Sequence, residues 1–168
     1  VNMDVEYISP TDREAYNSFL QRLADKVRGL GYILVVALAP KISADQQGIL
    51  YEAHDYAAQG RIADYVIFMT YEWGYTFSEP RAVSPINEIR RVLDYAVTEI
   101  PPEKLLMSLP NYGYDWTLPY MRGTAAQSIG FTAATELAQQ YGAEIRFDEL
   151  SQTPHFNYTT ADGTAHAV

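Results

Sequence analysis

The chain has 168 residues, the length of one domain, and its 48% hydrophobic content is sufficient for a buried core. A net charge of −9 with no basic run argues against binding to nucleic acid or to an anionic membrane surface. The lack of cysteine excludes disulfides and thiolate metal sites, and the longest apolar stretch, residues 32–40, is too short to span a bilayer. The chain begins at Val1 inside a strand pattern, without an initiator methionine, so we expect a piece of a longer protein.

Residues 1–7 alternate between apolar and polar side chains, which predicts a strand. On such a strand Asn2, Asp4 and Glu6 share one face, with successive side chains about 7 Å apart. Two carboxyls held close repel each other as anions, so one tends to keep its proton and can act as an acid. For an isolated pattern, a half-exposed strand with solvated acids is the simpler interpretation, and the rest of the chain must decide between the two.

Helix and strand patterns then alternate as far as residue 110. Ser9 followed by Pro10 is typical of a helix start, and Gly31 of a helix end. The unbroken apolar run that follows Gly31 favours a parallel strand covered on both faces. The predicted elements, in chain order, are a helix over 10–30, a strand over 32–39, a partly helical stretch over 50–59, a strand over 64–71, a helix over 86–100 and a strand over 104–110.

The character of the sequence changes from about residue 132 onwards. A helix is predicted over 132–141 and a short strand over 143–147. Two further strand-like segments flank the turn at residues 160–163. We therefore interpret 132–168 as a small α+β insertion rather than another strand–helix unit.

Candidate functional residues fall at the ends of the predicted strands. Asp4 and Glu6 close the first strand, residues 69–73 close the third and residues 111–116 follow the fourth. Strands that alternate with helices form a parallel array with right-handed crossovers, and in a βα barrel the chemistry lies at the carboxyl ends of the strands. The sequence therefore predicts an α/β protein with one site at the carboxyl ends of its parallel strands.

Three motifs in chain order resemble those of glycoside hydrolase family 18. The segment Asn2-Met3-Asp4-Val5-Glu6 resembles the end of the family's strand-4 motif D-G-x-D-x-D-x-E. Residues 69–72, Met-Thr-Tyr-Glu, resemble the strand-6 motif M-x-Y-D, and residues 109–113, Leu-Pro-Asn-Tyr-Gly, resemble the strand-7 segment P-x-Y-G. The fuller strings MTYEWGY, PNYGYDWTLPY and HFNYTTADGTAH look most like the bacterial spore-germination and cortex-lytic N-acetylglucosaminidase branch.

The resemblance implies a partial TIM (β/α)8 barrel, about half of one. Residues 1–131 would form the C-terminal half of a glycosidase barrel, strands 4 to 7. Residues 132–168 would form the α+β insertion, which stops before strand 8. The isolated chain would then have unpaired sheet edges, so we expect it to self-associate and to be inactive by itself.

The resemblance also implies roles for individual residues. Glu6 corresponds to the general acid, Asp4 to the aspartate that orients the substrate's N-acetyl group, and Tyr71 to the tyrosine that binds the same acetamide. The residues expected to contact substrate are Asn2, Met69, Glu72, Trp73, Tyr112 and Trp116. No metal and no cofactor is expected. Asn2 and Glu72 depart from the family pattern, since both positions more often carry aspartate.

The implied partner is an N-acetylglucosamine-containing polysaccharide, as in peptidoglycan, spore cortex or chitin, with no nucleic acid and no membrane span. The implied location is extracytoplasmic, at the cell wall or spore of a bacterium. Two alternatives stay open, a catalytically silent glycan-binding relative and a metal-dependent carboxylate enzyme that uses Asp4, Glu6 and Glu72. The pair His54-Asp55 has no third partner at ligand spacing, so we expect it to cap a helix or to serve structure.

Overall fold

A parallel sheet of four short strands organises the first part of the chain in the computed structural model, which describes all residues 1–168. The chain divides into two compact units. The first unit contains residues 1–70 and 89–108, and the second contains residues 71–88 and 109–168. The boundary predicted after residue 131, between half a barrel and an α+β insertion, stays a prediction.

The first unit follows the predicted alternation of strands and helices. Its elements are β1 (Asn2–Met3), α1 (Arg13–Gly29), β2 (Val35–Leu38), α2 (Tyr56–Ile62), β3 (Tyr65–Phe68), α3 (Ile86–Glu99) and β4 (Leu105–Met107), with α3 beginning in the second unit. The sheet order is β1-β2-β3-β4 and every pair is parallel. Parallel neighbours require crossover connections, which α1, α2 and α3 supply. The predicted α/β class is confirmed, and the sheet is open rather than closed into a barrel.

Apolar side chains of the helices cover the strands. Val36, Leu38, Val66 and Phe68 are fully buried, which agrees with the unbroken apolar pattern of parallel strands. The helices contribute the buried residues Leu20, Ala24 and Val27 of α1 and Ile89, Val92 and Ala96 of α3. None of the helices is long and apolar enough to cross a membrane.

All four strands of the parallel sheet are shorter than predicted. β2 covers Val35–Leu38 instead of residues 32–39, and β3 covers Tyr65–Phe68 instead of residues 64–71. β1 covers Asn2–Met3 instead of residues 1–7, and Tyr7, with a φ of 56°, leaves the extended conformation. β4 covers Leu105–Met107 instead of residues 104–110, because Lys104 belongs to a 3₁₀ turn and Pro110 has no N–H for the ladder. β1 and β4 are the two edges of the sheet, as the sequence predicted.

The second unit is built around antiparallel strands. Its elements are β5 (Tyr112–Leu118), β6 (Gln127–Gly130), α4 (Phe131–Gln140), β7 (Arg146–Asp148), β8 (Thr153–His155), β9 (Asn157–Thr159) and β10 (Ala165–Ala167). One sheet has the order β6-β5-β10-β9, and β7 pairs with β8 separately. The predicted helix near 132–141 and the two strands around the turn at 160–163 are confirmed.

β5 was not predicted as a strand, although its pattern was visible. Tyr112, Tyr114 and Trp116 alternate with smaller or polar residues, and Tyr114 and Trp116 are buried. Alternating aromatic residues are typical of a half-buried strand. On the opposite face, the Asp115 carboxylate accepts hydrogen bonds from the hydroxyl of Tyr158 at 2.6 Å and pairs with Nδ1 of His166 at 2.9 Å. These contacts join β5 to β9 and β10.

Close packing between α2 and the end of α3 gives a testable prediction. A Cβ placed on Gly60 would lie 2.6 Å from Cγ1 of Ile100, whose side chain is 2% exposed. Overpacking a core costs about 1–3 kcal/mol, whereas the helix propensity of alanine returns about 1 kcal/mol at most. We expect Gly60→Ala to lower the free energy of unfolding by about 1–2 kcal/mol in urea titration.

Gly29→Ala is the matched control, because Gly29 is also helical and a Cβ there meets nothing within 4 Å. This variant should be neutral or slightly more stable. Equal unfolding midpoints for the two variants would contradict the packing described for Gly60.

Candidate active site

Asp4 and Glu6 lie on the segment that leaves the carboxyl end of β1. Both side chains are exposed, whereas Met3 and Val5 are half-buried, so the predicted alternation of faces is present beyond the end of the strand. Asn2, which lies inside β1, is also exposed and belongs to the same alternation as Asp4 and Glu6. The two carboxylates are therefore free of the core and available to a ligand.

Tyr16 of α1 is a neighbour of this segment that sequence reasoning missed. Its side chain is 8% exposed, and its hydroxyl has no hydrogen-bond partner. Burial, followed by the negative charge of Asp4, raises the pKa of Tyr16 to about 12. The hydroxyl therefore keeps its proton at neutral pH. In the structure Tyr16 lies on the same buried face of α1 as Leu20 and Ala24, and nothing in the local sequence points to Asp4.

Met69 follows β3 at the same edge of the parallel sheet as the end of β1. Its amide donates to the carbonyl of Leu38 at 3.0 Å, and its side chain is 8% exposed. Next to it, the Thr70 hydroxyl donates to the carbonyl of Ser108 at 2.9 Å. Met69 is thus a core residue of the first unit, and its contact with substrate stays a prediction.

Glu72 is the centre of a hydrogen-bonded group in the second unit. Its Oε1 accepts a bond from the Tyr112 hydroxyl at 2.5 Å and another from the Tyr114 hydroxyl at 2.8 Å. Burial, followed by the bond to Glu72, raises the pKa of both tyrosines, so both stay protonated donors. The sequence predicts Glu72 and Tyr112 as site residues, and that role stays a prediction. It did not mark Tyr114 as the second partner of Glu72, although Tyr114 lies on the same face of β5 as Tyr112.

The backbone of Glu72 has a φ of 67°, in the left-handed region. Non-glycine residues are uncommon there, and such strain of about 1–3 kcal/mol is often found at functional sites. The two tyrosine hydroxyls hold the side chain in this conformation. The motif that this segment resembles has aspartate at this position. The glutamate side chain, which is one methylene longer, has Tyr112 and Tyr114 as its two partners.

Tyr71 and the two tryptophans also belong to the second unit. Tyr71 is half-buried and packs against the cluster of Val83, Tyr114, Trp116 and Ala126. Trp116 is 5% exposed, and its indole N–H donates to the carbonyl of Ser78 at 2.8 Å. Trp73 is half-buried. Sugar stacking by either indole stays a prediction.

The predicted site residues thus fall into two sets. Asn2, Asp4, Glu6 and Met69 belong to the first unit, and Tyr71, Glu72, Trp73, Tyr112 and Trp116 belong to the second. No three acidic or histidine side chains among residues 1–168 converge in the manner of metal ligands. The second unit also contains a cavity of about 530 Å³ with a mainly apolar lining, to which Tyr112, Tyr114, Trp116, Phe131 and Phe156 contribute.

Comparison with known proteins assigns this arrangement to a family. A cortical fragment-lytic enzyme of Bacillus subtilis is 49% identical over 169 aligned residues, which cover 100% of this chain and 39% of the relative. The crystal structure of the Bacillus cereus spore cortex-lytic enzyme SleL has a TM-score of 0.94 at 44% identity, over 99% of this chain and 38% of that one. A chitinase structure from Chromobacterium violaceum has a TM-score of 0.90 at 30% identity, over 99% of this chain and 51% of that one.

The chain therefore spans about two fifths of the length of the curated relative (39%). The sequence profile of the family called glycosyl hydrolases family 18 matches residues 1–165. The match covers the carboxylates after β1, the Glu72 group and nearly all of both units. This chain belongs to the glycosyl hydrolases family 18.

Proposed function

We propose that the protein is a retaining glycosidase that cleaves N-acetylglucosamine-containing glycan, as found in the peptidoglycan of spore cortex and cell wall. The observation that carries the proposal is the exposed pair Asp4 and Glu6 at the carboxyl end of β1, in a chain that matches family 18 over residues 1–165. Relatives described as cortical fragment-lytic and spore cortex-lytic enzymes support this class of substrate.

In the proposed reaction Glu6 is the general acid. It gives its proton to the glycosidic oxygen as the bond from that oxygen to the anomeric carbon breaks. The carbonyl oxygen of the substrate's own acetamide attacks the anomeric carbon and forms an oxazolinium ion. Water then opens the ion while the Glu6 carboxylate takes up a proton. This route needs one acid and one charge stabiliser, in contrast to the two-carboxylate scheme of most glycosidases.

Asp4 and Tyr71 are proposed to act on the acetamide. The Asp4 carboxylate orients the acetamide N–H and stabilises the positive charge that develops on the oxazolinium. The Tyr71 hydroxyl donates to the acetamide oxygen. Substrate contacts are further proposed for Asn2, Met69, Glu72, Trp73, Tyr112 and Trp116.

We further propose that β1 to β4 correspond to strands 4 to 7 of a (β/α)8 barrel. Four parallel strands with helical crossovers and a TM-score of 0.90 to a chitinase support this correspondence. The proposed location is outside the cytoplasm, at a bacterial wall or spore, where a glycan of this class would be met.

The role of Glu6 is tested by Glu6→Gln in the protein as its gene encodes it. The amide keeps the shape of the side chain but cannot give up a proton, so we expect turnover of an N-acetylglucosamine oligomer to fall at least ~100-fold. The circular dichroism spectrum should not change. Glu103→Gln is the control, since Glu103 is exposed beside the amino end of β4. Near-normal turnover by Glu6→Gln would refute the assignment.

The open sheet edges give a prediction for the isolated 168-residue chain. β1 and β4 are edges, and Leu106 and Met107 of β4 are each 41% exposed. Unprotected edges pair with other chains, and an edge lysine blocks such pairing. We expect self-association by light scattering, which Leu106→Lys should reduce. Leu30→Lys should not reduce it, because Leu30, 67% exposed, follows the end of α1 and lies outside the sheet. We also expect no meaningful hydrolysis.

A monomeric wild-type chain in light scattering would contradict the prediction about the edges. Hydrolysis by the isolated chain at the rate of the gene-encoded protein would contradict its proposed inactivity.

A further inference from the structure

His54 contacts the backbone of the segment that carries both carboxylates. It lies between β2 and α2, and its side chain is 1% exposed. Its Nδ1 is 2.7 Å from the amide nitrogen of Ala39, and its Nε2 is 3.3 Å from the carbonyl oxygen of Val5. Val5 lies between Asp4 and Glu6 in the sequence, so the imidazole contacts the peptide group that joins Val5 to Glu6.

These two partners define the protonation state of the ring. A backbone N–H can only donate, so Nδ1 must be the acceptor, and a carbonyl can only accept, so Nε2 must carry the hydrogen. Burial lowers the pKa of His54, while the bond to Val5 acts in the opposite direction. The ring is therefore a neutral Nε2–H tautomer with both nitrogens engaged.

The ring itself is held by a buried network. The Lys41 ammonium donates to the carbonyl of His54 at 3.1 Å. The Tyr56 hydroxyl donates to the carbonyl of Ala39 at 2.6 Å and accepts from the amide of Lys41 at 2.8 Å. Both Lys41 and Tyr56 are at most 2% exposed. The network leaves the imidazole little freedom to move relative to β2.

Asp55 fixes the same segment from its other side. Its Oδ1 accepts from the amide of Ala58 and so caps α2, as expected for this residue. Its Oδ2 forms an ion pair with Arg13 of α1 at 2.6 Å. His54 is thus anchored to two helices and a strand.

We propose that His54 is a positioning residue, whose Nε2–H holds the Val5 carbonyl and thereby sets the direction of the Asp4 and Glu6 carboxylates. The inference rests on the proposed function. Asp4 and Glu6 lie beyond Met3, the last residue of β1 that pairs with β2, so this pairing does not hold the peptide between them. Displacement of a reacting group by about 1 Å can cost about 10²-fold in rate. A rigid contact at this peptide is therefore of direct use to catalysis.

Two variants of the gene-encoded protein separate positioning from a purely structural role. In His54→Gln the amide nitrogen can replace Nε2 and still donate to Val5. In His54→Asn the shorter amide can replace Nδ1 and accept from Ala39 but cannot reach Val5. We expect kcat on an N-acetylglucosamine oligomer to be at least ~10-fold lower in His54→Asn than in His54→Gln, with KM equal within about twofold. Equal kcat values, or a higher value for His54→Asn, would overturn the inference.

A nuclear magnetic resonance readout keeps this test independent of activity. The amide of Glu6 shares a peptide group with the Val5 carbonyl, so its nitrogen shift reports the bond to His54. The shift should change in His54→Asn and stay near the wild-type value in His54→Gln. An inactive wild-type protein would refute the proposed function but not the inference, which would then be overturned by a Glu6 shift that is the same in all three proteins.

Discussion

The parallel register of β1, β2 and β3 determines where the Asp4 and Glu6 segment lies in the first unit. Asn2 pairs with Val35, and Val36 pairs with Val66, so these three strands end at one edge of the sheet. The carboxylate segment leaves β1 at this edge, and the loop that carries His54 leaves β2 beside it. A slip of one residue would turn Asp4 and Glu6 to the opposite face. The register determines the face of these carboxylates, and we propose that the contact of His54 with Val5 sets their direction.

Helices with a regular spacing of apolar residues were predictable from the sequence, whereas contacts between residues far apart in the chain were not. The three longer helices begin and end within a few residues of their predicted bounds, because apolar spacing and glycine stops are local signals. Strand ends depend on the neighbour, which explains why β1 is short. The bonds of Tyr112 and Tyr114 to Glu72 join residues 40 and 42 positions apart, and no local pattern encodes such a contact.

The candidate site shows the same division. The shared exposure of Asp4 and Glu6 was predictable from the sequence, because side chains alternate between the two faces of a strand. Two buried neighbours of this segment were missed: Tyr16 looks like an ordinary helix core residue, and His54 looks like a lone histidine. Both become meaningful only when the fold brings α1 and the loop after β2 next to the end of β1. Buried polar side chains that come near a site only through the fold are thus the hardest to recognise from the sequence.

In the proposed reaction the substrate's acetamide serves as the nucleophile, with Asp4 beside it and Glu6 as the acid. The most direct measurement compares hydrolysis of a chitin oligomer with that of its de-N-acetylated form by the gene-encoded protein, with a thiazoline analogue of the oxazolinium as inhibitor. If the acetamide is the nucleophile, only the acetylated oligomer should be turned over, and the thiazoline should inhibit. Comparable turnover of the de-N-acetylated oligomer, or a glycosyl group trapped covalently on a carboxylate, would contradict it.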